Sequence, residues 1–148
     1  YNRDNPASPS RNYFTFQPIL AFAYMPKWGL GINVKMMYDI PTRNNNPLVI
    51  TRAQNYYHSG QAFHFDYCLD YAVLPKLRVG AAGYYYTQTT GDVVDGVNVG
   101  FHGRSFAIGP AIKYDYGRFT FAAISQFEMA TINRPEGVRN WIRIWYAF

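Results

Sequence analysis

A chain of 148 residues is long enough to bury one domain core, and its single cysteine, Cys68, rules out an internal disulfide framework. Mean hydropathy is −0.24 and no run of eighteen apolar residues occurs, which excludes a helical membrane span; an aromatic content of 19%, with 14 Tyr and 11 Phe, excludes a disordered segment. The net charge of +5 comes from Arg and Lys spread singly along the chain, and with no clustered basic patch nucleic-acid binding is not expected.

Residues 1–12 are polar, carry Pro6 and Pro9 and have no periodicity, so they read as a loop. From Tyr13 the chain alternates in the period of two that marks β-strands. The first predicted strand, 13–24, has Phe14, Phe16, Leu20, Phe22 and Tyr24 on one phase, interrupted at Pro18. After a turn at 25–28, the second strand, 29–40, sets Leu30, Ile32, Val34, Met36 and Tyr38 against Asn33, Lys35 and Asp39. A long polar connection follows at 41–55. The third strand, 56–73, carries Phe63, Phe65, Tyr67, Leu69 and Tyr71 opposite His64, Asp66, Cys68 and Asp70.

A turn at 74–76 leads into the fourth strand, 77–88, where Leu77 and Val79 set the apolar phase and place Arg78, Tyr84, Tyr86 and Gln88 on the polar side. Residues 89–103 read as a second long loop, glycine-rich and containing Asp92 and Asp95. The fifth strand, 104–116, opposes Phe106, Ile108, Ile112 and Tyr114 to Lys113 and Asp115. The sixth, 119–131, opposes Phe121, Phe127 and Met129 to Gln126 and Glu128. A loop at 132–139 precedes the last strand, 140–148, with Ile142, Ile144, Tyr146 and Phe148 on one face and Trp141, Arg143 and Trp145 on the other.

Two regularities favour an antiparallel transmembrane β-barrel of the outer-membrane type over a soluble β-sandwich. Connections alternate short and long, as periplasmic turns and extracellular loops do. Charges inside the strands, Arg104 excepted, lie opposite the apolar phase, which avoids the cost of about 2–4 kcal/mol for Arg or Lys on a lipid-facing midplane site. Tyrosines near the strand ends, among them Tyr24, Tyr38, Tyr85, Tyr116 and Tyr146, fit interfacial girdles. The apolar positions of the last strand, ending on an aromatic residue, resemble the terminal-strand signal read by the barrel-assembly machinery. The expected surroundings are therefore the bacterial outer membrane, with its lipid and lipopolysaccharide. Seven strands, an odd number, cannot close in lipid without an exposed edge. The expectation is the carboxy-terminal part of a larger, even-stranded barrel of about twelve strands, alone or in a homo-oligomer or larger envelope assembly.

Several local patterns add a family resemblance. Tyr57-His58-Ser59-Gly60 opens the third strand; Gly83-Tyr84-Tyr85-Tyr86-Thr87-Gln88, followed by Asp92, closes the fourth; Gly109-Pro110 and Tyr114 lie in the fifth. Arg134-Pro135-Glu136-Gly137, then Trp141, Tyr146 and Phe148, finish the chain. In this order they resemble the outer-membrane proteins associated with meta-pathway phenol degradation, over roughly residues 13–148. The resemblance implies an outer-membrane channel and, loosely, an aromatic solute.

No nucleophile, phosphate-loop or metal-ligand motif appears, and neither an enzymatic activity nor a cofactor is expected. His58 and His64 are too far apart on one strand for simple chelation, and Asp92 and Asp95 offer too few oxygens for Ca²⁺. The candidate functional surface is the inward face. It comprises Lys35 on the second strand, Asp66 and Asp70 on the third, and Arg78, Tyr84 and Tyr86 on the fourth. Lys113, Glu128, Trp141 and Arg143 complete it from the last three strands. These residues would form either a salt-bridged plug or a polar constriction whose aromatic rings meet a small solute. The alternatives to a channel are a non-conducting barrel working through its loops and a soluble β-sandwich binding module.

Overall fold

Alternation on this scale commits the chain to strands, and the computed structural model, which describes all residues except Pro6, Ser8 and Pro9, is built from them. The reading of 1–12 as loop falls outside the described residues at those three positions. Eight strands form one antiparallel sheet: β1 (Thr15–Phe16), β2 (Ile19–Tyr24), β3 (Leu30–Pro41), β5 (Ala62–Leu74), β6 (Leu77–Gln88), β9 (Arg104–Tyr116), β10 (Phe119–Ile132) and β11 (Val138–Tyr146). β1 and β2 lie end to end along β3, so the sheet has seven ribbons in simple meander order. Among the described residues its edges, β1/β2 and β11, do not pair with each other, and the sheet is open.

Pro18 accounts for the break in the first ribbon. It has no N–H for the ladder, yet its carbonyl still accepts from the Tyr38 amide at 3.2 Å, and the register is the same on both sides of it. The third predicted strand needs a correction, because residues 56–61 do not belong to the main sheet. Tyr57–His58 form β4, which pairs instead with β7 (Val93–Val94). Gly60 is pressed against the Thr90 carbonyl, 2.0 Å from where a Cβ would sit, and the chain leaves the sheet there. The predicted loop 89–103 also contains structure. β7 and β8 (Val97–Asn98) form a hairpin across Asp95-Gly96, both with positive φ (48° and 89°), as a tight turn of the Asp-Gly type demands. The last strand runs 138–146 rather than 140–148. Phe148 lies beyond the ladder, although the Ala147 amide still donates to the Arg118 carbonyl at 2.9 Å.

The pairing registers decide which side chains share a face. One row reads Tyr71, Val79, Ile112, Ala123, Ile142; a second reads Val34, Tyr67, Gly83, Ile108, Phe127, Val138. Every row of this phase is uncharged except at Arg104, which sits beside Thr87 at the long-loop end. The opposite phase carries the charges and many small residues, among them Ala82, Ala107, Ala111 and Ala122. Bulky side chains on one face and small ones on the other give each ribbon a wedge section, so the sheet curls towards the polar side. Backbones approach closely along the bend: a Cβ on Gly83 would lie 1.9 Å from the Ala107 carbonyl oxygen.

A soluble sandwich would bury its apolar phase against a second layer. Among the described residues nothing covers it. Phe22, Leu69, Phe127 and Ile144 are exposed, and Ile142 is 84% exposed; the only well-buried large apolar side chains in the described chain are Met37 and Leu48.

Candidate functional site

The polar faces of β2, β3, β5, β6, β10 and β11 converge on one open cavity of about 690 Å³, which Arg134, from the connection between β10 and β11, also lines. Of the residues expected to point inward, Lys35, Asp66, Tyr84, Tyr86, Trp141 and Arg143 line it. The other four do not. Glu128 lies on the same face beneath Tyr84, while Asp70, Arg78 and Lys113 are engaged nearer the short-turn end. The single expected set is thus divided: Arg143 shares a row with Arg78 and Lys113, and Trp141 shares one with Asp70, but only the members of these rows on β10 and β11 reach the cavity.

Most charges on this face are paired. Lys35 Nζ is 3.1 Å from Asp66 and Lys113 Nζ 3.3 Å from Asp115. Arg78 donates from Nε to Asp70 at 2.5 Å and from Nη2 to the Gly29 carbonyl at 2.9 Å, fixing the planar guanidinium at two points. Arg139, placed in a loop by periodicity, in fact belongs to β11. It donates to Glu128 at 2.9 Å; the Tyr84 hydroxyl donates to the same carboxylate oxygen, and the Glu128 side chain is almost fully buried. His64 faces Asp39 at 3.2 Å, and Gln17 donates to the other Asp39 oxygen at 2.6 Å.

Guanidinium groups also lie against the aromatic rings. Arg134 Cζ stands 4.0 Å from the centre of the Tyr86 ring, Arg139 Cζ 4.9 Å from Tyr84 and Arg143 Cζ 5.9 Å from Trp141. Sequence reasoning missed Arg134 and Arg139 because both fall outside the alternating segment it recognised. A period-two count extended two residues upstream from Trp141 would have found Arg139.

Above the cavity, the long connections are latched together at Asp92, which is buried. Its carboxylate accepts from the Tyr57 hydroxyl, from the Gly60 amide at 2.8 Å and from Gln88 Nε2 at 2.5 Å. Burial, reinforced by this carboxylate, pushes the Tyr57 phenol well above its ordinary value and keeps it a proton donor. Asp95, at the tip of the hairpin, accepts from the Gln54, Asn55 and Tyr56 amides at 2.7–2.8 Å, and these donors hold its carboxyl below the usual range. Both aspartates are thus satisfied by protein donors. His58 contacts the Pro41 carbonyl at 2.9 Å, in a different sheet from His64.

Three of the motif fragments read from the sequence, Tyr57 to Gly60, the end of β6 and Asp92, therefore meet at one carboxylate. The sequence profile of a family described as "Putative MetA-pathway of phenol degradation" matches residues 1–144. The chain belongs to this family. The family's name ties it to the breakdown of phenol, an aromatic compound. No curated protein and no solved structure matches the chain.

Proposed function

We propose that this chain forms part of the wall of an outer-membrane β-barrel through which small aromatic or hydrophobic molecules pass passively. The observation that carries this reading is the pairing of an uncovered apolar face, charged only at Arg104, with a charged, concave face around a cavity. Dimensions support it. Aromatic clusters occupy both ends of the apolar face: Phe65, Tyr85, Tyr67 and Phe106 towards the long loops, Phe119, Tyr146 and Phe148 at the short turns. On β10, Phe119 and Met129 mark these two levels, ten residues apart. At about 3.3 Å per residue and about 40° of tilt, this is about 25 Å along the membrane normal, the height of an outer-membrane apolar band. In a bilayer the open edges of β2 and β11 require partners, either further strands of the same protein or a second copy.

The dense ion pairing favours a second reading, a rigid non-conducting barrel that works through its latched loops. Reconstitution of the full chain into a planar bilayer separates the two. Discrete single-channel steps support the channel; silence across varied salt and voltage supports the structural role. Solubility without detergent would overturn both.

A further inference from the structure

The polar phase of β11 reads Arg139, Trp141, Arg143, Trp145, a guanidinium and an indole in strict alternation. Across the ladder these four face Gln126, Ile124, Ala122 and Thr120, none of them acidic. Lys35, Arg78, Lys113 and Arg139 on the concave face each have a carboxylate within 2.5–3.3 Å. Among the described residues Arg143 and Arg134 have none, and their neighbours are the Trp141 and Tyr86 rings. Both arginines line the cavity. Pairing Lys35 with Asp66 and Arg139 with Glu128 leaves two unbalanced positive charges around it.

We infer that the cavity binds aromatic anions, with a carboxylate held by Arg143 and the attached ring lying on Trp141. This narrows the solute class and rests on the proposed transport role only for its biological use; the binding itself does not require conduction. An unpaired guanidinium offers a carboxylate two parallel N–H donors and an opposite charge, whereas a neutral hydroxyl accepts a single bond without charge pairing. Side chains two apart on a strand are about 6.6 Å apart, so an anion on Arg143 brings its ring to the half-exposed Trp141 indole. Arg134 over Tyr86 repeats the same cation and ring at the loop end of the cavity, where a solute from outside would first arrive.

The test is titration calorimetry of the full chain in detergent micelles with benzoate, benzyl alcohol and benzylamine, molecules of one shape and three charges. The expected result is benzoate binding at least about tenfold more tightly than benzyl alcohol, with benzylamine weakest. Arg143→Gln should lower benzoate affinity about tenfold and leave benzyl alcohol unchanged, Arg143→Lys should lose less, and Trp141→Leu should weaken both ligands. Heat-modifiable gel mobility reports folding of each variant. Should Arg143→Gln fail to fold, the benzoate to benzyl alcohol ratio of the unaltered chain and the Arg143→Lys variant decide. Equal affinity for benzoate and benzyl alcohol, or benzoate binding indifferent to Arg143, overturns the inference. A silent bilayer with intact benzoate preference overturns the channel reading alone; conduction with no such preference overturns only this inference.

Discussion

Phe127 and Gln126 are neighbours near the middle of β10 whose side chains belong to opposite faces, and they offer a clean test of which face meets lipid. Phe127 stands in the apolar row with Ile108 and Val138 and is 47% exposed. Gln126 lines the cavity opposite Arg139, whose charge is already held by Glu128. If the apolar face meets water, replacing the half-exposed Phe127 by Arg costs within about 0.5 kcal/mol, as surface changes do. If it meets hydrocarbon, Phe127→Arg, two residues inside the Met129 level, costs about 1–2 kcal/mol, between the interfacial and midplane values, or about 5- to 30-fold in the folding equilibrium. Gln126→Arg should stay near the unaltered protein in either case. The assay is urea titration of the chain folded into lipid vesicles, with heat-modifiable mobility as a second measure of the folded fraction. Phe127→Gln serves as the control that removes the ring without adding charge. Equal destabilisation by the two arginines, or a Phe127→Arg protein as stable as its parent, would refute the lipid-facing assignment.

The bend and the loops carry further expectations. Gly109→Ala should destabilise by about 1–3 kcal/mol or more, since its Cβ would fall 1.7 Å from the Ser125 carbonyl oxygen; a neutral result in the same urea titration would mean the ribbons do not approach so closely. Asp92→Ala strips the acceptor from Tyr57, Gly60 and Gln88, each bond to the carboxylate worth about 1.5–3 kcal/mol, and should expose 41–60 and 89–103 to protease while vesicle-protected strands stay intact. Asp95 is held below its ordinary value of 3.8, so its contribution to hairpin stability is complete above that pH and is lost as pH falls through the depressed value. Loop proteolysis by pepsin should therefore rise steeply below about pH 4. Asp95→Asn keeps a residue that tolerates the positive φ but removes the charge, and should flatten that dependence.

The motif at the end of β6 shows where local reading stops. The period of two alone places Tyr84, Tyr86 and Gln88 on the polar face, and the register agrees. Their partners were not legible: Tyr84 meets Glu128 from 44 residues away, and Gln88 meets Asp92 only because the Asp95-Gly96 turn folds the loop back. The Asp95-Gly96 turn signal stands in the sequence, but the short strands on either side of it show too little alternation to mark a hairpin.

What the sequence determined by itself was the phase. Every ribbon, its apolar side and each short turn follow from side chains that alternate, because a strand's geometry sends neighbours to opposite faces without reference to the rest of the chain. Residues 56–61 departed from the pattern where a neighbouring backbone, rather than the local period, set the path, whereas Pro18 interrupts the ladder only through its missing N–H. Tertiary structure alone decided which polar residues meet. A one-residue slip in any register would have inverted a ribbon, and the depth of the curl depends on Ala and Gly from several strands packing together. Those pairings between strands left Lys35, Arg78 and Arg139 neutralised, while Lys113 meets Asp115 on its own strand, and Arg134 and Arg143 are free of carboxylates among the described residues. The charge that a solute would meet is therefore a property of the assembled face, not of any one strand.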